Sequence, residues 1–200
     1  MYRCPMRVNL ASALAAAGAV SFALAGCGSH TDTSSASPPS TATSAASASS
    51  CPTAAPSAPG AAEWSFKGAT GNVEVTGSTD SAAPVVKVDS PFSVTETQVH
   101  TLKEGDGPVV PATARVNVCY LGVDGRDGHV FDSAYQRGEP VEFPLEGVVP
   151  GFQKAIAGQK VGSTVAVAMT AADGYPQGEP RAGIKPGDTL VFAIKILGAN

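Results

Sequence analysis

Short rows of alternating apolar residues, each closed by a turn signal, fill the C-terminal half of this chain and restrict it to a unit built mainly of strands. In Val116-Asn-Val-Cys-Tyr120 the residues Val116, Val118 and Tyr120 share one face of an extended segment, because side chains alternate across a strand. Asp124-Gly125 and Asp127-Gly128 mark a hairpin loop, and the next strand is expected through Val130 and Phe131. Val141, Phe143 and Leu145 alternate again, then Val165, Val167 and Met169, and finally Leu190, Phe192, Ile194 and Ile196. One helical pattern interrupts them, from Pro150 to Ala157, with Pro at its start and Gly158 placed to end it. Several short strands and one small helix predict an α+β domain, a curved antiparallel β-sheet wrapped around that helix.

The segments upstream have a different character. From Gly28 to about Gly60 the sequence is almost entirely Ser, Thr, Ala and Pro. Such a stretch has too little apolar bulk to offset the entropy of ordering it, so a disordered tether is expected over 27–62. Roughly 35 flexible residues have a root-mean-square span of about 30–35 Å. Before it, Arg3 and Arg7 precede a run from Val8 to Ala25 that is apolar or small apart from Asn9, Ser12 and Ser21. That pattern reads as a secretory signal over 1–26, since an Ala-rich run of this length is marginal for a spanning helix. The run ends in Leu24-Ala25-Gly26-Cys27, which resembles the lipobox of bacterial lipoproteins. The resemblance implies removal of the preceding peptide, acylation of Cys27 by a fatty acid such as palmitate, and anchoring on the outer face of a bacterial cell membrane. The competing reading is ordinary secretion with Cys27 left as a free thiol. Between tether and main domain, Asn72-Val-Glu-Val-Thr76 and Val85-Val-Lys-Val88 read as strands. Residues 63–97 are therefore expected to be an N-terminal β arm packed on a domain that covers 98–200.

Charge and residue types exclude several function classes. The chain carries 13 basic and 17 acidic residues; without Arg3 and Arg7 the basic count is 11, so the mature chain is more acidic still. An acidic chain without a basic stripe argues against nucleic-acid binding. His30, His100 and His129 are scattered and form no ligand cluster, so neither a metal site nor a cofactor is expected. Cys4 lies in the signal and Cys27 at the anchor, which leaves Cys51 and Cys119. Export makes a bridge between them possible, but Cys51 falls in the stretch expected to lack structure, and the sequence leaves the pairing open.

From about Gln98 to Asn200 the order of motifs resembles the FKBP-type peptidyl-prolyl cis/trans isomerases. Leu102-Lys-Glu-Gly-Asp-Gly107 is similar to the family's opening strand and turn, and Val118-Cys-Tyr-Leu-Gly122 to the strand that supplies a pocket tyrosine. Phe131-Asp-Ser133 matches the family's Phe-Asp-Ser, and Val148-Val-Pro-Gly-Phe152 the segment that leads into the helix on the pocket floor. Tyr175 stands where the family carries the tyrosine of its long flap, and Thr189-Leu-Val-Phe192 matches the final strand.

The resemblance implies that Tyr120, Phe131, Val148, Val149, Phe152 and Phe192 form an apolar pocket, with Ile184 reaching in from the flap. The backbone N–H of Val149 and the hydroxyl of Tyr175 would donate to substrate carbonyls, and Asp132 would sit beside the twisting amide. It also implies proline-containing segments of exported proteins as substrates, macrolides as a second ligand class, and a monomer. Phe152 replaces the tryptophan usual on the floor, Val141 stands where many members place another aromatic, and Glu179 takes a flap position that is His in some members. A smaller floor weakens binding more readily than it weakens the fold. The alternatives are a module that binds proline segments without turnover, and a purely structural envelope lipoprotein.

Overall fold

In the computed structural model, residues 50–56 and 60–200 are described. The export signal, Cys27 and most of the expected tether lie outside them. The described strands are β1 (Trp64–Lys67), β2 (Thr70–Thr76), β3 (Val85–Ser93), β4 (Gln98–Lys103), β5 (Arg115–Asp124), β6 (Val130–Ser133), β7 (Val141–Pro144), β8 (Thr164–Met169) and β9 (Leu190–Ala199). The helices are a single turn, α1 (Ala134–Arg137), and the expected α2 (Pro150–Ile156).

Two antiparallel sheets form. β1, β2 and β3 pair in order, and a second sheet runs β4-β8-β9-β5-β6, with β7 also paired to β5. The alternation written in the sequence decides which way each strand faces. Val116, Val118, Val165, Val167, Met169, Leu190, Phe192, Ile194 and Ile196 all enter one core together with Phe152, Ala155 and Ile156 of α2. Pro150 opens α2 where no intrahelical donor is needed. Gly158, just past its end, sits at φ 81°, a conformation that suits glycine. The helix lies close to β8: a Cβ on Gly151 would come within 2.6 Å of the Met169 sulfur.

The intervening positions of β8 and β9 are apolar too. Ala166, Ala168, Val191 and Ala193 face the opposite way and bury Trp64, Val73, Val75 and Phe92 of the small sheet. Residues expected to be an arm therefore make a second layer on the back of the main sheet. The alanines keep that back surface low enough for another sheet to settle on it. Hydrogen bonds join the layers: Phe92 N–H donates to the Gly125 carbonyl at 2.8 Å, and Val94 N–H to the Thr189 hydroxyl at 3.2 Å. In the expected β5–β6 hairpin, Arg126 reaches Asp124 at 3.1 Å and Asp188 at 3.2 Å, two carboxylates that are almost fully buried. Its guanidinium also donates to the Gly183 carbonyl at 3.2 Å, which ties the hairpin to the flap that follows β8.

Three details depart from the sequence reading. Leu145 does not extend the β7 row but starts a 3-10 turn, Leu145–Gly147, and is still fully buried. The turn α1 was not expected, since four residues are too few to show a helical period. The third concerns the tether. Cys51 is 2% exposed, is disulfide-bonded to Cys119, and donates its N–H to the Gly138 carbonyl at 3.1 Å. The Ala54 carbonyl accepts from Ala83 N–H at 2.8 Å. The stretch expected to be unstructured over 27–62 is therefore docked on the domain at 51–54. Its composition hid this because one covalent bond and a few main-chain bonds do the holding, without apolar side chains.

The bridge closes a loop across a sequence separation of 68. Restricting the unfolded chain over such a loop contributes about 2–4 kcal/mol. Replacing Cys51 by Ala and Cys119 by Val is expected to lower the unfolding free energy by about that amount in a denaturant titration.

Candidate active site

A cavity of about 380 Å³ opens on the inner face of the main sheet. It is lined by Tyr120, Phe131, Asp132, Val141, Phe143, Gly147, Val148, Val149, Phe152, Tyr175 and Phe192. Strand register explains why the rings converge. Tyr120 lies opposite Ile194, Gly122 opposite Phe192 across β5–β9, and Gly122 opposite Asp132 across β5–β6. The absent side chain at Gly122 leaves room for two rings to meet: a Cβ there would lie 2.7 Å from both Phe131 and Phe192. These rings pack edge to face at 5.5 Å. Phe152 rises from α2 to meet Phe192 at 4.7 Å, Tyr120 at 5.8 Å and Phe143 at 5.9 Å, each in an edge-on arrangement. Such pairs contribute about 0.5–1.5 kcal/mol each beyond their burial and fix the walls in place.

Polar groups sit at the rim. The Asp132 carboxylate accepts a hydrogen bond from the Tyr120 hydroxyl and is ion-paired with Arg137. The Arg137 guanidinium also reaches the Tyr120 hydroxyl at 3.3 Å and lies 5.9 Å from the centre of its ring. Burial pushes the Asp132 carboxyl up, but the bonds from Tyr120 and Arg137 outweigh it and hold the group below the usual aspartate range. Burial, with the bond to Asp132, pushes the Tyr120 hydroxyl up to about 12. The site therefore carries an ionised carboxylate and a neutral phenol throughout the physiological range. Tyr175 comes from the flap and is half-buried, and burial raises its hydroxyl as well, with Glu179 and Asp132 adding to the effect. The Val149 N–H, at the entry to α2, donates to no backbone group among the described residues. Gln153 of the same helix donates to the Val148 carbonyl at 2.9 Å and so fixes the loop that presents this N–H.

Of the residues singled out in the sequence, Tyr120, Phe131, Asp132, Val148, Val149, Phe152, Tyr175 and Phe192 meet at this cavity. Ile184 does not line it. It is 3% exposed within the core, and its backbone pairs with Glu179 in both directions, at 2.9 and 3.1 Å. That pairing turns its side chain into the domain. Sequence reasoning missed Phe143, Gly147 and Arg137. Phe143 was visible as the middle of an alternating row, and Arg137 follows Asp132 by five residues, about one helical turn beyond a strand end. Among the described residues no three His, Cys, Asp or Glu side chains are placed to hold a metal ion.

A sequence profile described as FKBP-type peptidyl-prolyl cis-trans isomerase matches residues 107–197. The chain is 36% identical over 96 residues to the probable FK506-binding protein of Corynebacterium glutamicum, an alignment covering 48% of this chain and 80% of that protein. The chain belongs to the FKBP-type peptidyl-prolyl isomerase family. It is also 39% identical over 100 residues to the FKBP-type 22 kDa peptidyl-prolyl cis-trans isomerase of Escherichia coli, covering 50% of this chain and 48% of that protein. The alignment thus spans about half the length of that relative. The crystal structure of a peptidyl-prolyl isomerase from Pseudomonas syringae is similar at 28% identity and a TM-score of 0.47, over 52% of this chain and 75% of that one. The FKBP-type domain is therefore the half of the chain that holds the cavity, and the β1–β3 layer lies before the profile match.

Two measurements check this site. Gly122→Ala is expected to cost about 1–3 kcal/mol in unfolding free energy and to shift the ring resonances of Phe131 and Phe192. For Asp132 the sign follows from its depressed value. Its contribution to stability is complete above the ordinary aspartate pKa and is lost as pH falls through the folded one. A carbon-13 carboxyl titration is expected to place Asp132 below the ordinary aspartate value, and Arg137→Ala to move it upward.

Proposed function

We propose that the protein accelerates cis/trans isomerisation of X-Pro bonds in proteins that fold outside the cytoplasm. The observation that carries this reading is the cavity itself: Tyr120, Phe131 and Phe152 each packed edge-on against Phe192, with an ionised Asp132 and two donors unclaimed among the described residues, Val149 N–H and Tyr175 O–H, around its mouth.

The chemistry asks for nothing more. An X-Pro amide turns slowly because its partial double bond sets a barrier of about 18–20 kcal/mol. The planar amide is the more charge-separated form and water favours it. In an apolar cavity that preference weakens, while the twisted amide, which has lost resonance, is penalised less. Each 1.36 kcal/mol of difference is about tenfold in rate. In this reading the rings of Tyr120, Phe131, Phe152 and Phe192 hold the prolyl ring and exclude water. Val149 N–H and the Tyr175 hydroxyl bind substrate carbonyls, and Asp132 faces the carbonyl that rotates. No proton is transferred, so kcat/KM is expected to be flat from about pH 5 to 9, between the low value of Asp132 and the high one of Tyr120. A bell centred near neutrality would contradict it.

The second reading is a binder of proline segments without turnover, favoured by Phe152 and Val141, which leave the floor and side wall smaller than larger rings would. A protease-free assay on a proline peptide separates the two. The isomerase reading expects Asp132→Val to lower kcat/KM by about 10- to 100-fold while peptide affinity changes little. A binder has no rate to lose. Phe152→Trp is expected to raise affinity for peptides and macrolides, since it adds ring area and an indole donor.

The N-terminal motif supports an extracytoplasmic location, with lipid on Cys27 holding a monomeric enzyme at the outer face of the cell membrane. Incorporation of a labelled fatty acid, abolished by Cys27→Ala, is the expected result. Incorporation that survives this substitution would overturn the anchoring claim and leave the isomerase reading intact.

A further inference from the structure

α1 is one turn long, and an isolated turn does not hold its shape in water. Its geometry is imposed from outside. At its start Ser133 accepts from Gln136 N–H at 3.1 Å. At its end Gly138, at φ 74°, donates to the Tyr135 carbonyl at 3.2 Å, while its own carbonyl accepts from Cys51 N–H at 3.1 Å. Thr53 crowds the same residue, 3.2 Å from where a Gly138 Cβ would lie. The flank of the turn is buried in a small cluster of Cys51, Cys119, Ala134, Tyr135 and Leu197. The Tyr135 hydroxyl is bonded at 2.8 Å to Ser78, in the segment that also anchors Ala54.

Two residues flanking this cluster are active-site residues. Arg137, immediately before Gly138, pairs with Asp132 and with the Tyr120 hydroxyl. Cys119 immediately precedes Tyr120 on β5 and points to the opposite face of the sheet. The docked end of the tether thus touches the backbone beside Arg137 and is covalently joined beside Tyr120.

We propose that Cys51 is a positioning residue for the isomerase: bonded to Cys119 and to the Gly138 carbonyl, it holds α1 so that Arg137 stays paired with Asp132 and Tyr120. The tether is then part of the active-site support as well as a leash. This role rests on the isomerase reading for its consequence in rate, and on geometry alone for its consequence at Asp132.

The test uses the full chain carrying Cys51→Ala with Cys119→Val, which keeps the buried face apolar, measured with and without Arg137→Ala. Removing the bridge is expected to lower kcat/KM on the order of tenfold through kcat. It should also move the Asp132 carboxyl upward in a carbon-13 titration. In the bridge-free protein Arg137→Ala should then add little, because the pair is already broken. A folded bridge-free protein that keeps its turnover and its Asp132 titration, and loses only stability, overturns the proposal. If the wild type itself shows no turnover, the isomerase reading fails, and the Asp132 titration alone decides the positioning role. If the double substitution does not fold, the same titration on wild type reduced with a phosphine decides it in the same way.

Discussion

The strand pair β8–β9 is apolar on both faces, and most of the molecule is arranged by that constraint. A sheet with two apolar faces must be covered twice. On one side Val165, Val167, Met169, Phe192, Ile194 and Ile196 bury α2 and shape the cavity; on the other, small residues receive the β1–β3 layer. The cavity exists because the inner covering is incomplete. α2 is only two turns long and sends one ring, Phe152, into the cavity, where it meets Tyr120 and Phe192 edge-on and leaves a mouth between the rings.

The strands and α2 were legible because each is a clean alternation or a capped helical run, and the cavity residues because several separated motifs occur in one order. The parts that were not legible share a cause. Ala166, Ala168 and Ala193 are too small to look like a second buried face, so the layer they bury read only as an arm. Ala134-Tyr-Gln-Arg137 is too short to carry a period, and with α1 unseen Arg137 had no reason to stand out. Cys51 lay among residues that bury nothing by themselves, and its docking depends on Cys119, on Gly138 and on main-chain bonds. Ile184 was misplaced for the converse reason: the backbone bridge to Glu179, which no side-chain pattern shows, turns its side chain into the core.

Asp132 joins the fold to the chemistry. Its carboxylate is held by a phenol from β5 and a guanidinium from the end of α1, so it stays charged beside an otherwise apolar chamber. In the proposed mechanism a fixed charge at the edge of an apolar cavity acts on a rotating amide without proton transfer, and neither a nucleophile nor a general acid is required. The docked tether is bonded to Cys119 and Gly138, the neighbours of Tyr120 and Arg137, which links the part of the chain expected to lead to a membrane with the part expected to turn prolines.

Exchange NMR on a proline peptide tests the central claim most directly, because it reports rotation of the bond without a coupled protease. With the intact protein at substoichiometric concentration, cis and trans signals are expected to exchange at mixing times where the peptide alone shows none, and their populations to stay unchanged. Peptide signals that shift on binding without any gain in exchange would contradict an isomerase and leave only a pocket that holds proline.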